Sequence, residues 1–337
     1  MANPISKLYH KVRGRLARTV GTPMELLSNS LYDFRRFRAY SGMNHTQRSS
    51  LEAWMTKEYH RIEKGLSLPE PRPGFGKQMI IDLVNLLNDY LEKYGRDEVA
   101  DVTLNTLEKY CEFNARHGVD KSKLKEEVNR LRETYPVIHG CEEVEGGTLE
   151  VKKTEIASLG LDFARFAASR HSIRNFAEGE VTDEQIIEAA KIAQSAPSVC
   201  NRQPWKLHVF SDPATKEKVL ECQNGNRGFG HTASKVLLIT SDLSAFLGIG
   251  ERNQAYIEGG LFSMSLAHAL HSMGLGTCCL NLSIQKEGDR RIRETIDFPP
   301  NETVIMMIAV GQLHDTFKVA RSHRKPVDRL ITFHDRS

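Results

Sequence analysis

Cysteine is scarce and scattered. Six occur in 337 residues, at positions 111, 141, 200, 222, 278 and 279, and no two make a Cys-x-x-Cys pair. That spacing fits neither a disulfide framework nor a zinc site, and it points to a reducing compartment. Long apolar runs are missing too, and no stretch approaches the roughly eighteen residues a membrane span requires. The first thirty residues lack the apolar centre of a signal peptide. The expected location is therefore cytoplasmic. Strong charge of one sign is also absent: 46 Lys and Arg against 43 Asp and Glu leave +3. There is no electrostatic case for a nucleic-acid partner. No clustered Cys and His set suggests a metal, no Ser, His and Asp pattern suggests a nucleophile, and no internal repeat is visible.

What is there divides into two halves. The charge balance is uneven at the start. Residues 1–40 carry Lys7, Lys11, Arg13, Arg15, Arg18, Arg35, Arg36 and Arg38 against Glu25 and Asp33. Such an arm suits a solvated helix face, or docking to an anionic lipid surface or an acidic partner. Helical periodicity then dominates. Residues 48–66 place Leu51, Met55, Ile62 and Leu66 amid charge. A break follows at Pro69, Pro71 and Pro73, where a helix cannot continue. Residues 77–94 carry Ile80, Leu83, Val84, Leu87 and Leu91 at helical spacing and stop at Gly95. Further helical patterns cover 99–114 and 121–134. The expectation is an all-helical N-terminal domain within residues 1–150, with its boundary in the Gly- and Glu-rich stretch 136–150. The turn Pro71 to Gly76 reads as a helix end, or as a lid over a neighbouring pocket.

From residue 151 the pattern changes. A helix is expected near 155–168. Thr182-x-x-Gln185 is a capping box ahead of an apolar run. Residues 207–210, 236–240 and 304–310 read as strands, the last two as continuous apolar runs suited to burial. Residues 256–273 form a long helix of small and apolar residues ending at Gly274, and 287–296 an amphipathic one. Strands alternating with helices predict an α/β or α+β sandwich around a central sheet.

Four segments carry candidate chemistry. Arg170-His171-Ser172-Ile173-Arg174-Asn175-Phe176 sets guanidinium, imidazole and hydroxyl groups within five residues, a combination that suits a phosphate, although a solvated turn would look the same. Ala196-Pro197-Ser198-Val199-Cys200-Asn201-Arg202-Gln203-Pro204-Trp205 is a polar loop between two prolines, fit to recognise a heteroaromatic edge or simply to join helix to strand. Gly274-Leu275-Gly276-Thr277-Cys278-Cys279-Leu280-Asn281 follows the long helix. Arg321-Ser322-His323-Arg324-Lys325-Pro326 is a basic stretch near the C-terminus.

The first two motifs, about twenty residues apart with a helix between them, resemble the opening of the nitroreductase family of FMN enzymes. The third segment resembles that family's Gly-Leu-Gly-Thr-Cys stretch, with Asn281 and Leu282 standing where many members have glycine. The resemblance covers about residues 160–330 and leaves the helical half outside it. It implies an α+β fold, an α-β-α sandwich around a mostly antiparallel sheet, in a domain over 151–337. It also implies a homodimer with FMN at the interface. Arg170, Ser172 and Arg324 would hold the phosphate, with His171 beside them in a structural role. Arg174 would lie near N1 and O2 of the ring, and Leu280 and Asn281 near N5. Asn226, seven residues before Ala233, would lie against the ring, and Pro197, Ser198, Asn201 and Gln203 would come from the second subunit. The implied activity is ping-pong electron transfer from NADH or NADPH, through the flavin, to a small organic acceptor such as a nitroaromatic, a quinone or a biosynthetic intermediate. A different reaction on the same fold, or a non-catalytic scaffold, are the alternatives. The implied chemistry is the cofactor's and requires no metal or side-chain nucleophile.

Overall fold

The computed structural model describes residues 22–44, 47–68, 70–136, 144–148, 162–317, 319–320 and 326–334. Among them are ten α-helices and one four-stranded sheet. The helical half holds α1 (Thr22–Tyr40), α2 (Arg48–Leu66), α3 (Lys77–Tyr94), α4 (Glu98–Arg116) and α5 (Ser122–Thr134). Helices α2 to α5 share a core of Met55, Ile62, Leu83, Leu87, Tyr90, Leu104, Leu107, Tyr110 and Leu131. At the bundle's edge Arg48 bridges Glu52 and Asp97, and the Tyr90 hydroxyl, with one proton to give, lies within hydrogen-bond distance of both carboxylates. The Pro71 to Gly76 turn closes the same bundle: Phe75 meets Tyr110 edge-on at 5.1 Å, and Tyr110 donates its hydroxyl to the Phe75 carbonyl.

Helix α1 does something else. It lies against the second half, where Tyr32 donates to Asp289, Arg36 to the Glu302 carbonyl at 2.7 Å, and Asn29 accepts from the Lys286 amide at 2.7 Å. The compact helical unit therefore begins at Arg48. Of the expected linker only 136 and 144–148 are described, and the latter rests on α4, with Asn105 donating to the Val144 carbonyl. Of the helix expected near 155–168, residues 155–161 lie outside the described residues.

The second half holds α6 (Phe163–Ser169), α7 (Asp183–Ala193), β1 (Trp205–Phe210), α8 (Pro213–Glu221), β2 (Lys235–Asp242), α9 (Gln254–Ser272), β3 (Gly276–Asn281), α10 (Lys286–Thr295) and β4 (Glu302–Gly311). The sheet runs β1-β2-β4-β3, every neighbouring pair antiparallel. A short parallel bridge, Ser172 to Thr277, extends the β3 edge. The fold is thus α+β, with helices on both faces of the sheet.

Strand alternation divides the core between those faces. Val236, Leu238, Met307 and Ala309 point to one side, against Val219 and Leu220 of α8 and Ile292 of α10. Leu237, Ile239, Ile308 and Val310 point to the other, against α7 and α9. Both strands are buried on both faces, which is why they read as unbroken apolar runs. The capping box at Thr182 is formed as expected. A bulge falls between Ile239 and Thr240, leaving Ile305 as the extra residue on β4. There α9 comes so close that a Cβ on Gly259 would lie 2.6 Å from Ile305.

Candidate functional site

The Arg170 segment starts as α6 ends. Asp162 caps that helix by accepting from the Arg165 amide, and the chain leaves it extended at Arg170. The Ile173 amide then donates to the Thr277 carbonyl at 2.9 Å, and this bond lays the segment along the edge of β3. Ile173 and Phe176 enter the core, so the residues between and before them face outward. Arg170 and Ser172 are half-buried, while His171 and Arg174 are exposed. The next residues on β3 obey the same alternation: Cys278 and Leu280 are buried, Cys279 and Asn281 exposed. What the sequence presents as a loop after a helix cap runs beside β3 and is joined to it by one parallel bridge, Ser172 to Thr277.

Arg36, Arg48, Arg96, Arg202 and Arg293 each meet a carboxylate. Arg170 and Arg174 have neither an ion-pair nor a hydrogen-bond partner among the described residues, and the Ser172 hydroxyl is equally unengaged. The neighbours add further potential positive charge. His268 and His271 lie on the last turns of α9, and Ser169 Oγ is 2.8 Å from His271 Nε2. Burial, with the Arg170 charge beside them, pushes both imidazoles below their ordinary range. Beside β3 the two guanidinium groups and the hydroxyl thus stand without protein partners among the described residues, a donor set of the kind that suits an anion.

The polar loop lies elsewhere. Its backbone is strained, since Cys200, Asn201 and Gln203 all adopt left-handed conformations at φ 49°, 53° and 47°. Non-glycine residues avoid that region, and three in four positions persist only when surroundings impose them. The imposing groups are clear. Arg202 is buried; its guanidinium chelates Glu251 at 2.6 and 3.1 Å and donates to the Ala245 and Val199 carbonyls. Glu251 also takes the Leu247 amide. Glu258, fully buried on α9, accepts from the Val199 amide at 2.8 Å and from Gln254 at 3.0 Å. Its other oxygen has no partner among the described residues, and burial raises its pKa above the usual carboxylate range. Ser198 Oγ accepts from the Gln203 amide. Pro197, Asn201 and Gln203 remain exposed, and the last two line a 240 Å3 cleft against α2 and α4.

These two regions occupy opposite corners of one sheet. Trp205, at the end of the loop, pairs with Ser241, and Ser241 with Thr303 at the start of β4. Gly276, beside the Arg170 segment, pairs with Gly311 at the other end of β4. Three strand spacings of about 4.8 Å and eight residues of about 3.3 Å put the corners roughly 30 Å apart. A single chain does not bring Pro197, Ser198, Asn201 and Gln203 to Arg170, Ser172 and Arg174.

Asn226 is tied to the β3 side. Its amide nitrogen donates to the Leu220 and Gln223 carbonyls, both at 2.7 Å, and Gln223 in turn donates to the Asn281 carbonyl at 3.0 Å. Leu280, Asn281 and Asn226 are therefore joined through Gln223. Asn226 also lines a cavity of about 650 Å3 beside α8 that contains none of the other candidates. Arg324 lies outside the described residues.

Sequence reasoning missed Arg202, Glu251, Glu258 and the two α9 histidines. Glu258 did carry a signal, as the lone acidic residue of an otherwise apolar helix. Arg202 and Glu251 meet only through the fold.

The class is an antiparallel α+β sandwich with an arginine-bearing segment beside β3 and a strained polar loop. Comparison with known proteins adds to this: the sequence model of the nitroreductase family matches residues 167–312, less than half of the chain. Over 202 residues, 51% of this chain and 95% of the relative, it is 26% identical to an NADH dehydrogenase of Thermus thermophilus. Over 205 residues, 52% of this chain and 70% of the relative, it is 24% identical to iodotyrosine deiodinase 1 of Homo sapiens. Among solved structures, an FMN-dependent nitroreductase from Clostridium difficile aligns over 50% of this chain and 98% of its own, at 22% identity and a TM-score of 0.42.

Proposed function

We propose that the chain is an FMN-dependent oxidoreductase, working as a homodimer, that passes electrons from NADH or NADPH to a small organic acceptor. The observation that carries this reading is the pair of uncompensated arginines, Arg170 and Arg174, flanking the free Ser172 hydroxyl on the β3 edge. Guanidinium groups left without a carboxylate keep their donors and charge available to an anion. FMN brings a phosphate and, when reduced, negative charge at N1 and O2, so the residues present fit the group. When bound, it supplies two-electron redox chemistry.

Each residue then has a physical task. Arg170 and Ser172 hold the phosphate, with Arg324 as the third ligand. Arg174 stabilises the anionic edge of the ring and so raises the flavin's potential. Backbone groups at Leu280 and Asn281 line the ring. Asn226 keeps its amide nitrogen on the Leu220 and Gln223 carbonyls and fixes the turn beside them. His171 supports the turn and moves no proton. Asn201 and Gln203, with Pro197 and Ser198, complete the site from the second subunit, which the roughly 30 Å separation within one chain requires. The exposed apolar stripe Ile257, Leu261 and Met264 on α9 supports such an assembly. Donor and acceptor would take turns at one opening.

The test is a spectrum followed by a reduction. Purified protein should absorb near ~450 nm, as oxidised flavins do, and the band should bleach anaerobically with NADH or NADPH. Arg170→Ala and Arg174→Ala should each lose bound FMN on dialysis. Colourless protein that ignores added FMN would end the proposal. A second reading, an acceptor reaction other than nitro reduction, is favoured by the likeness to iodotyrosine deiodinase 1. Retained bleaching by nucleotide with no turnover of nitroaromatics or quinones would select it.

A further inference from the structure

Helix α1 is built the wrong way round for water. Its polar side chains face the protein: Asn29 accepts from the Lys286 amide, Tyr32 donates to Asp289, and Arg36 donates to the Pro300 and Glu302 carbonyls. Glu25 turns the same way, into the cleft that holds Lys286 and Asp289. Asp33 stands at the margin, between that cleft and the next. The apolar side chains face out. Met24, Leu27, Leu31 and Phe34 follow one another at spacings of three, four and three, a single stripe along the helix, with Leu27 55% and Phe34 59% exposed. Arg35 and Arg38 are exposed beside Phe34. Across a groove shared with Phe34 and Arg38, Ile249 and Arg252 are exposed as well. Arg35, Arg38 and Arg252 have neither an ion-pair nor a hydrogen-bond partner among the described residues.

The outward side of α1 thus offers apolar groups and cations together. The sequence ahead of it carries the same bias: residues 1–21 hold Lys7, Lys11, Arg13, Arg15 and Arg18 and no Asp or Glu. The excess of cations in residues 1–40 is larger than the +3 of the whole chain, so the rest of the sequence is net negative. Positive charge is gathered where the apolar stripe is. We propose that α1 docks on an anionic phospholipid surface, with Leu27, Leu31 and Phe34 seated at the boundary of headgroups and acyl chains and Arg35, Arg38 and the basic arm among the lipid anions. Charge complementarity chooses this occupant. A helix in a bilayer interface buries an apolar face and keeps cations at its flanks, where each adds attraction to anionic lipid. Such a helix ordinarily turns its polar face to water. In α1 that face is taken up by Asp289, Glu302 and the Lys286 amide, so the folded domain is carried behind the helix. The net-negative remainder is repelled by the same surface, which orients the molecule with α1 foremost. No flavin-site residue takes part, so this docking stands apart from the flavin reading.

The experiment is co-sedimentation of the full chain with vesicles of phosphatidylcholine, alone or with about one-third phosphatidylserine. Wild type should pellet with the mixed vesicles, stay in solution with the neutral ones, and bind less as salt rises. Leu27, Leu31 and Phe34 together replaced by Ser should weaken vesicle binding by more than about tenfold. Arg35→Gln with Arg38→Gln should weaken it by more than about fivefold. Phe34→Trp keeps the stripe apolar; it should bind as wild type does, and its emission should move to the blue on mixed vesicles only. All three variants should keep wild-type circular dichroism, since the altered side chains lie on the side of α1 turned from the protein. Wild type that stays in solution with mixed vesicles, or binds neutral ones equally well, overturns the proposal. So does a serine variant that pellets as wild type does; if sedimentation velocity then shows that it has lost a wild-type dimer, the occupant is a second copy. Vesicle binding does not depend on colour: wild type that pellets yet binds no FMN sinks the flavin reading and leaves this one standing.

Discussion

Glu258 shows how much one buried side chain can decide. Its carboxyl holds the Val199 amide and is disfavoured as an anion by burial. A raised pKa in the folded state means the contribution is present at low pH and is lost as pH rises through the folded value. Glu258→Gln keeps an acceptor for Val199 and removes the ionisation, so its melting temperature at neutral pH should equal or exceed wild type. Glu258→Ala leaves the amide unmatched and should cost about 2 kcal/mol. Thermal melts of both variants across pH 5 to 9 separate the two effects, and a destabilised Gln variant would contradict the account. The α9 histidines offer a second local readout. His268 and His271 are held down by burial and by Arg170. A phosphate seated on Arg170 would offset that cation, so adding FMN should raise both imidazole pKa values in an NMR titration. Unchanged values would move the phosphate elsewhere.

At the scale of elements, α1 should come loose in acid. Burial pushes the Asp289 carboxyl up, but hydrogen bonds from Arg293 and Tyr32, with Arg36 nearby, hold it net below its ordinary range. Depressed folded pKa values give stability that is full above the unfolded value and lost as pH falls through the folded one. Docking of α1 should therefore weaken below about pH 4, visible as amide exchange in residues 22–40 ahead of α3. Helices whose apolar face is also their buried face were readable from the chain alone. Lys77–Tyr94 has the bounds its periodicity predicts, and Thr182 caps α7 through Gln185. Helix α1 escaped notice because its apolar stripe and its docking face are opposite. Strand β3 escaped because it opens on Gly276 and closes on Asn281, residue types depleted in strands, and pairing with β4 is what makes it a strand.

For the whole molecule, the candidate site was legible in its parts and illegible in its arrangement. Arg170, Ser172, Arg174 and the loop residues stand in short motifs, so local order reveals them. That they sit at opposite corners of one sheet follows from strand order and register, which no motif encodes. The domain division was similar. The bundle of α2 to α5 was visible as periodicity, while the allegiance of α1 depends on Asp289 and Lys286, more than 250 residues away. If two chains share each flavin, mixing an Arg174→Ala protomer with an Asn201→Ala protomer should restore one sound site per heterodimer. Roughly a quarter of wild-type flavin occupancy would then return in a statistical mixture; no recovery would place both groups in one chain's site.

The strained loop bears on how the chain tolerates change. Positions 200, 201 and 203 each demand a backbone that only glycine, asparagine and aspartate accept cheaply. In a saturation library those three sites should reject valine, isoleucine and threonine even where their side chains meet open solvent. Exposed surface would there be among the least permissive ground in the protein, and an enrichment map would show it as three narrow columns within a broad, forgiving exterior.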